Sequence, residues 1–262
     1  MRRSWWSRGI GAGLALLALS LAPARGQAAM SGADEIDAGA AAYAAGSLES
    51  ARAAFGRAVQ LSPRSFTALR WLARVESDLG EDVRGEDQRK LFASAVEHAR
   101  AAVLAAPDSA RGHLELAVAL GRQALREGPR TRLALSREIK AEADRAIAQD
   151  PGLGRAYHVR AVWNRKIAGL NMFERSIARA VLGGVPKGAS MENAVADLQK
   201  AIELEPNYVN HRLEFGRTLL EMHRKDDARR ALEKAVALPP TSSPRDARYQ
   251  EEARELLRKL NS

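Results

Sequence analysis

The chain has 262 residues, no cysteine, 46% hydrophobic and 5% aromatic residues, and a formal net charge of +9. The lack of cysteine excludes a disulfide framework, a thiolate metal site, a cysteine nucleophile and a lipid-modified N-terminal cysteine. Four arginines (Arg2, Arg3, Arg8 and Arg25) and no acid lie in residues 1–28, so the remainder carries +5, in mixed faces such as Arg254, Glu255, Arg258 and Lys259. Such faces are solvated helix surfaces, and without aromatic residues among the basic ones they exclude a nucleic-acid groove.

The amino terminus reads as a secretion signal over residues 1–28. A basic head precedes an apolar run of 13 residues, Ile10 to Ala22, closed by Pro23. At about 1.5 Å per residue that run is too short for a hydrocarbon core of roughly 30 Å. Gly26-Gln27-Ala28 offers small residues where a signal peptidase reads, so cleavage is expected after Ala28, with Ala24 as the second site. The expected location is outside the cytoplasm, in a bacterial periplasm, with no stable membrane span after signal removal. The alternative is anchorage to the membrane through an uncleaved N-terminal segment.

A helical domain is expected over residues 33–260. Alanine and leucine supply most of the apolar mass, and no period-two alternation suggests strands. Gly39, Tyr43 and Gly46 mark a first helix and a tight turn. Leu48, Ala51, Phe55, Ala58 and Leu61 then follow the three-four rhythm of one helix face, which Pro63 ends. Pro107 and Pro151 close similar stretches at spacings of 44 residues. Those spacings imply insertions into one unit, or helices longer than the minimal unit. The charged run Gly80 to Lys90 is an exposed loop or a helix start, and a second insertion lies around Gly121 to Thr131. The third contains an additional helix, roughly Asn171 to Leu182, ended by Gly183, Gly184 and Pro186.

The rhythm then recurs in Ala194, Leu198, Ala201, Leu204 and Pro206, and again in Gly216, Ala228, Leu232, Ala235, Leu238 and Pro240, 34 residues from proline to proline. That period and pattern are a tetratricopeptide signature, clearest in 33–63 and 175–240. The expected fold is all-α, a tetratricopeptide-type solenoid of helical hairpins with insertions and an extra helix between repeats. Small residues at Gly39, Ala51, Ala194, Gly216 and Ala228 let paired helices approach closely. Trp71, Trp163 and Phe173 are expected in the core.

No catalytic centre is expected. There is no HExxH, no GxSxG and no phosphate-binding GxxxxGK[ST]. His113, His158 and His211 recur near the start of three successive first helices, where they are expected to pack against the next pair or cap a turn, with no metal and no cofactor. Ser47 and Ser190 sit where repeats place a turn or cap. Asp226 and Asp227 fit a helix first turn. An alternative is a hydrolase or metal-dependent enzyme with its site in the insertions.

In this repeat type the first helix of each pair lines an inner groove. The mapped positions are Arg111, Leu114, Val118 and Arg122, then Arg155, His158, Val162, Arg165 and Lys166, then Leu213, Arg217 and Leu220. They form an apolar strip edged with arginine, suited to a protein partner or an extended peptide carrying carboxylates. The primary expectation is a non-enzymatic interaction scaffold, with self-association as a further possibility.

The second half carries a more specific pattern: Ala156-Tyr157-His158, Trp163, Ile167-Ala168-Gly169-Leu170, Phe173, Ile177-Ala178, Gly183-Gly184-Val185-Pro186 and Ala189-Ser190. With Trp71, Pro107, Ala110-Arg111-Gly112-His113 and Ala237-Leu238-Pro239-Pro240, it resembles the regulator of microtubule dynamics family over about Ala33 to Leu260. The resemblance implies an all-helical interaction domain without enzymatic activity. Microtubule association attaches to eukaryotic members, and no tubulin-binding motif maps onto this sequence.

Overall fold

A computed structural model describes residues 30–261 apart from Pro186, Pro240 and Ser242. The expected signal over residues 1–28 and the helix-ending role of Pro240 lie outside the described residues, as does that of Pro186. Within them the chain forms twelve α-helices and no strand. In order these are α1 (Gly32–Ala44), α2 (Leu48–Leu61), α3 (Phe66–Leu79), α4 (Gly85–Ala105), α5 (Ala110–Ala124) and α6 (Pro129–Gln149). They continue with α7 (Gly154–Ala168), α8 (Met172–Leu182), α9 (Met191–Leu204), α10 (Val209–Glu221), α11 (Lys225–Ala237) and α12 (Asp246–Asn261).

Five hairpins result: α1 with α2, α3 with α4, α5 with α6, α7 with α9, and α10 with α11. Each second helix whose stop is described ends two residues before its proline, at Leu61, Ala105, Gln149 and Leu204. Proline cannot donate the next amide and disfavours helical geometry in the residue before it, so the chain turns there. The 44-residue spacings come from longer helices: α4 and α6 each run 21 residues. The Gly80 to Lys90 run is mainly the start of α4, and Pro129 opens α6.

Small residues set the distance within a hairpin. A Cβ added at Gly39 would lie 2.6 Å from the Phe55 ring, and one at Gly216 would lie 2.6 Å from Leu232 Cδ2. Ala51, Ala194 and Ala228 are fully buried at the matching contacts. Phe55 also stacks on Trp71 of the next pair, with centroids 5.5 Å apart and rings parallel within 1°.

The extra helix α8 forms where the sequence places it. Asn171 and Glu174 make a reciprocal capping box at its start, and Gly183 ends it at φ 68°, a conformation glycine adopts without strain. Among the described helices α8 packs mainly on α6, and Arg175 ties it to the end of α7 by donating to the Ala168 carbonyl at 3.1 Å. Ile177 and Ala178 make the α6 contact. Its first turn therefore has no second layer above it, and Phe173 is 68% exposed instead of lying in the core. Trp163 is buried, with its indole N–H donating to the Ser136 carbonyl at 2.8 Å. Trp71 is half-buried in the first-pair core.

First helices α3, α5, α7 and α10 contact one another in succession and form the concave layer. Helix α12 packs on α10 and α11. Its N-terminal end returns to the α3–α4 turn, where Arg245 reaches Asp82 at 2.7 Å and Arg248 reaches Asp82 at 3.1 Å. The superhelix is thus bridged from its last helix to its second pair.

Candidate functional site on the concave face

The concave layer encloses a cavity of about 890 Å³ walled by α3, α5, α6, α7, α8, α10 and α12. Leu125, Leu133, Ile139, Trp163 and Leu170 give it an apolar wall from α5 to α8. Arg74, Asp78, Tyr208, Asn210, Glu214 and Tyr249 give it a polar wall from α3, α10 and α12. Leu125 in the apolar wall is 49% exposed, whereas the exposed Met172 and Phe173 at the start of α8 do not line the cavity.

Of the residues mapped from sequence, Arg122, Arg155, His158, Arg165, Lys166 and Arg217 line this cavity, as do Val118, Val162 and Leu220. Three do not. Leu114 packs with Ala110, Ala146 and Ala156, and Leu213 packs with Val209 and Leu232, each in its own hairpin core. Arg111 lies exposed outside the cavity. The reason is angular. One residue later on each helix, about 100° around, Glu115 and Glu214 turn to the cavity while the leucines face the partner helix.

The acids change the electrostatics of the groove. Arg165, with only 6% of its side chain exposed, pairs with Glu214 and reaches Glu221 at 2.7 Å. Arg217 pairs with Glu214 and reaches Glu252 on α12 at 2.5 Å. Arg122 pairs with Glu81 from the α3–α4 turn. Burial alone would raise the Glu214 carboxyl, but Arg165 and Arg217 outweigh it and hold it down to about 2. Most groove arginines are therefore neutralised from neighbouring helices. Lys166 is exposed and forms no ion pair among the described residues.

The histidines do structural work. His113 Nε2 donates to the Pro107 carbonyl at 2.7 Å, capping the preceding turn, and its Nδ1 lies 2.5 Å from Glu142. His158 and His211 meet through their Nδ1 atoms at 2.9 Å, while His211 Nε2 lies 3.2 Å from Glu205. A carboxylate accepts, so His211 donates from Nε2, leaving its Nδ1 to accept from His158 when both rings are neutral. Burial, and then the neighbouring His211, push His158 down to about 3. Burial also lowers His211, against the opposing pull of Glu205. No group of three metal-ligating side chains converges among the described residues.

Sequence reasoning missed Asp78, Glu115, Tyr208, Asn210, Glu214 and Tyr249. A usable signal was present for Glu214: an acid three residues before Arg217 on the same helix.

Residues 35–261 match the family described as Regulator of microtubule dynamics protein 1-3. The chain belongs to this family. It is 30% identical over 194 residues to Regulator of microtubule dynamics protein 1 of Bos taurus, covering 72% of this chain and 61% of that one. To protein 3 of Rattus norvegicus it is 29% identical, covering 71% of this chain and 39% of that one. It thus spans about three-fifths and two-fifths of these relatives. Among solved structures it is similar to TTC0263, a thermophilic tetratricopeptide protein of Thermus thermophilus, with a TM-score of 0.63 at 22% identity over 85% of this chain and 98% of that one. The type IV pilus biogenesis factor PilW gives a TM-score of 0.54 at 17% identity, over 87% and 92%. These likenesses establish the tetratricopeptide-like fold. No described helix is long and apolar enough to cross a membrane.

Proposed function

We propose that this chain is a non-enzymatic interaction scaffold that takes an extended peptide segment of a protein partner into its concave cavity, and that it works outside the cytoplasm after export. One observation carries the reading. The cavity presents apolar side chains, Val118, Val162 and Leu220, inside a rim of arginines most of which are already paired with acids. A surface of that kind gains its affinity from apolar burial and uses the rim for orientation. Lys166 adds one uncompensated charge. The signal-like N-terminus supports export, and an adaptor role in a cell envelope follows from the two together.

The test uses peptides selected on the purified protein from a random twelve-residue display library. Selected peptides are expected to bind wild type and to lose at least tenfold in affinity with Val162→Glu or Leu220→Glu, the melting temperature staying within a few degrees. Selected peptides that protect only the outer helices α2, α4 and α11 from hydrogen exchange would overturn the reading. A second reading, self-association, is favoured by the exposed Met172 and Phe173 on α8. Light scattering across a concentration series separates the two, because only a self-associating chain gains mass with concentration.

A further inference from the structure

Three guanidinium groups from two first helices, α3 and α7, gather around a single carboxylate on α5. Arg74 on α3 donates from Nη1 to Glu115 at 3.2 Å and from Nε to the Tyr43 hydroxyl at 3.0 Å, so its geometry is satisfied. Arg70 on α3 and Arg155 on α7 approach the same Glu115 oxygen at only 3.9 and 3.6 Å, beyond hydrogen-bond reach. Among the described residues neither of these two side chains donates a hydrogen bond, although only 11% and 23% of each is exposed. Each guanidinium carries five N–H donors, and none of those on Arg70 or Arg155 is a fully buried donor without a partner, so they stay open to an incoming acceptor.

The local charge is also unbalanced. Exposed Arg111 adds a fourth cation that acts on Arg70, whereas the acids that face these four are Glu115, Asp78 and, beside Arg155, Glu205. Burial, with Arg111, Arg74 and Arg155 repelling, lowers the proton affinity of Arg70 despite the pull of Glu115. Arg70 is further fixed by lying over the Trp71 ring at 4.8 Å, so the fork is held in place. Arg155 lines the cavity itself, which puts the cluster at the cavity's edge.

We propose that Arg70 and Arg155, on either side of Glu115, form a carboxylate-binding site that anchors one end of the segment lying in the cavity. This rests on the peptide reading above and names the chemistry recognised. Two idle planar forks match a carboxylate, which accepts two parallel hydrogen bonds from each. Buried Glu115 keeps the surplus charge small, so the site fits a monoanion better than a dianionic phosphate. The carboxylate comes from an acidic side chain or from a chain terminus.

The experiment has two stages on the full chain. Sodium acetate is first titrated at constant ionic strength, with chloride as the balancing anion, and the arginine Nε–H resonances are followed. Saturable shifts at Arg70 and Arg155, lost in Arg70→Gln and in Arg155→Gln, are expected, with Arg155→Lys retaining only weak binding because it keeps charge without the fork. Circular dichroism and melting confirm that the variants fold. Non-saturable shifts, or inorganic phosphate displacing acetate at a lower concentration, overturn the assignment. The display-selected peptides are then remade with an amidated terminus, or with Glu and Asp changed to Gln and Asn. A tenfold or larger loss from amidation assigns a terminal carboxylate, and the same loss from the second change assigns a side chain; either supports the site. Peptides that bind unaffected by both changes, yet still fail on Val162→Glu, sink the carboxylate site and leave the groove standing. Acetate binding with no peptide bound at all sinks the groove and leaves a small-anion site.

Discussion

Arg245, at the foot of α12, donates from Nη1 to Asp82 Oδ1 at 2.7 Å across 163 residues of sequence. Arg248, one turn on, reaches the same oxygen at 3.1 Å and the Glu81 carboxylate at 3.7 Å. Solenoid repeats ordinarily touch only their neighbours, so stability is a sum of local terms. These contacts break that rule. They hold α12, which contributes Tyr249 and Leu256 to the cavity, as its closing wall.

Asp82→Asn should therefore act locally. Asp82 is 47% exposed, which screens its pairs, but Arg245 is only 7% exposed and keeps just Asp78 at 3.9 Å, so the global loss is expected to be about 1–2 kcal/mol. Hydrogen exchange in α12 should rise several-fold, while α1 and α2 stay unchanged. In wild type the α12 amides should also exchange faster as salt is raised, and this dependence should weaken in the variant. Equal acceleration in α2 and α12 would show that the contact is not a local latch.

The glycines give opposite expectations at two positions of the first hairpin. Alanine improves helix propensity over glycine by about 1 kcal/mol. At Gly39 the added Cβ would meet the Phe55 ring at 2.6 Å, and overpacking of that kind costs about 1–3 kcal/mol. At Gly56, inside α2, nothing lies within 4 Å of the added atom. Gly39→Ala should lower the urea midpoint, Gly56→Ala should raise it, and Phe55→Leu should recover part of the first loss. A rise at both positions would mean that the hairpin has slack at Gly39.

The fold was legible because its signals are local and periodic. Gly39, Ala51, Ala194, Gly216 and Ala228 announce helix contacts by size alone, and each described proline stop follows its helix by two residues. Asn171 and Glu174 announce α8 through a capping box three residues apart. Phe173 was misread because hydrophobicity does not say whether a second layer covers a helix. The site was legible only as a helix face. Leu114 and Leu213 fell into the hairpin cores because 100° of rotation separates them from Glu115 and Glu214. The partners of the arginines were not legible at all: Arg165 with Glu221 and Arg245 with Asp82 are joined by superhelical curvature, which no short spacing encodes.

Acid should destabilise the fold in two stages. Burial, together with His211, holds His158 down to about 3 in the folded state, whereas an unfolded histidine titrates near 6.5. A depressed folded value means that the unfolded chain takes up the proton first. The contribution is complete above pH 6.5 and is lost as pH falls from there toward 3. His211, lowered in the same direction, adds to this window. Glu214, held down to about 2 against 4.5, contributes stability above pH 4.5 that is lost as pH falls toward 2. Unfolding free energy should thus decline by roughly 1–2 kcal/mol between about pH 7 and 5. His158→Gln should flatten that limb while leaving the decline below pH 4.5. An unchanged upper limb in the variant would refute the assignment to the histidine pair.

Glu214 should be the most sensitive charged position in the cavity wall. It stands between Arg165 and Arg217 and is itself almost fully buried. Glu214→Gln keeps the shape but removes the charge, leaving Arg165 with Glu221, whose side chain is 40% exposed. Breaking a buried pair from one side costs about 3–5 kcal/mol, because the remaining charge stays desolvated. Solvent at Glu221 and the second pairing of Arg217 with Glu252 soften this, so about 2–3 kcal/mol is expected by urea unfolding with an unchanged slope. Arg165→Met should cost less, because the Glu214 carboxylate that it leaves is still paired with Arg217. The double variant Arg165→Met with Glu214→Gln should then be more stable than Glu214→Gln alone. Simple addition of the two single losses would show that the ion pair does not couple these helices.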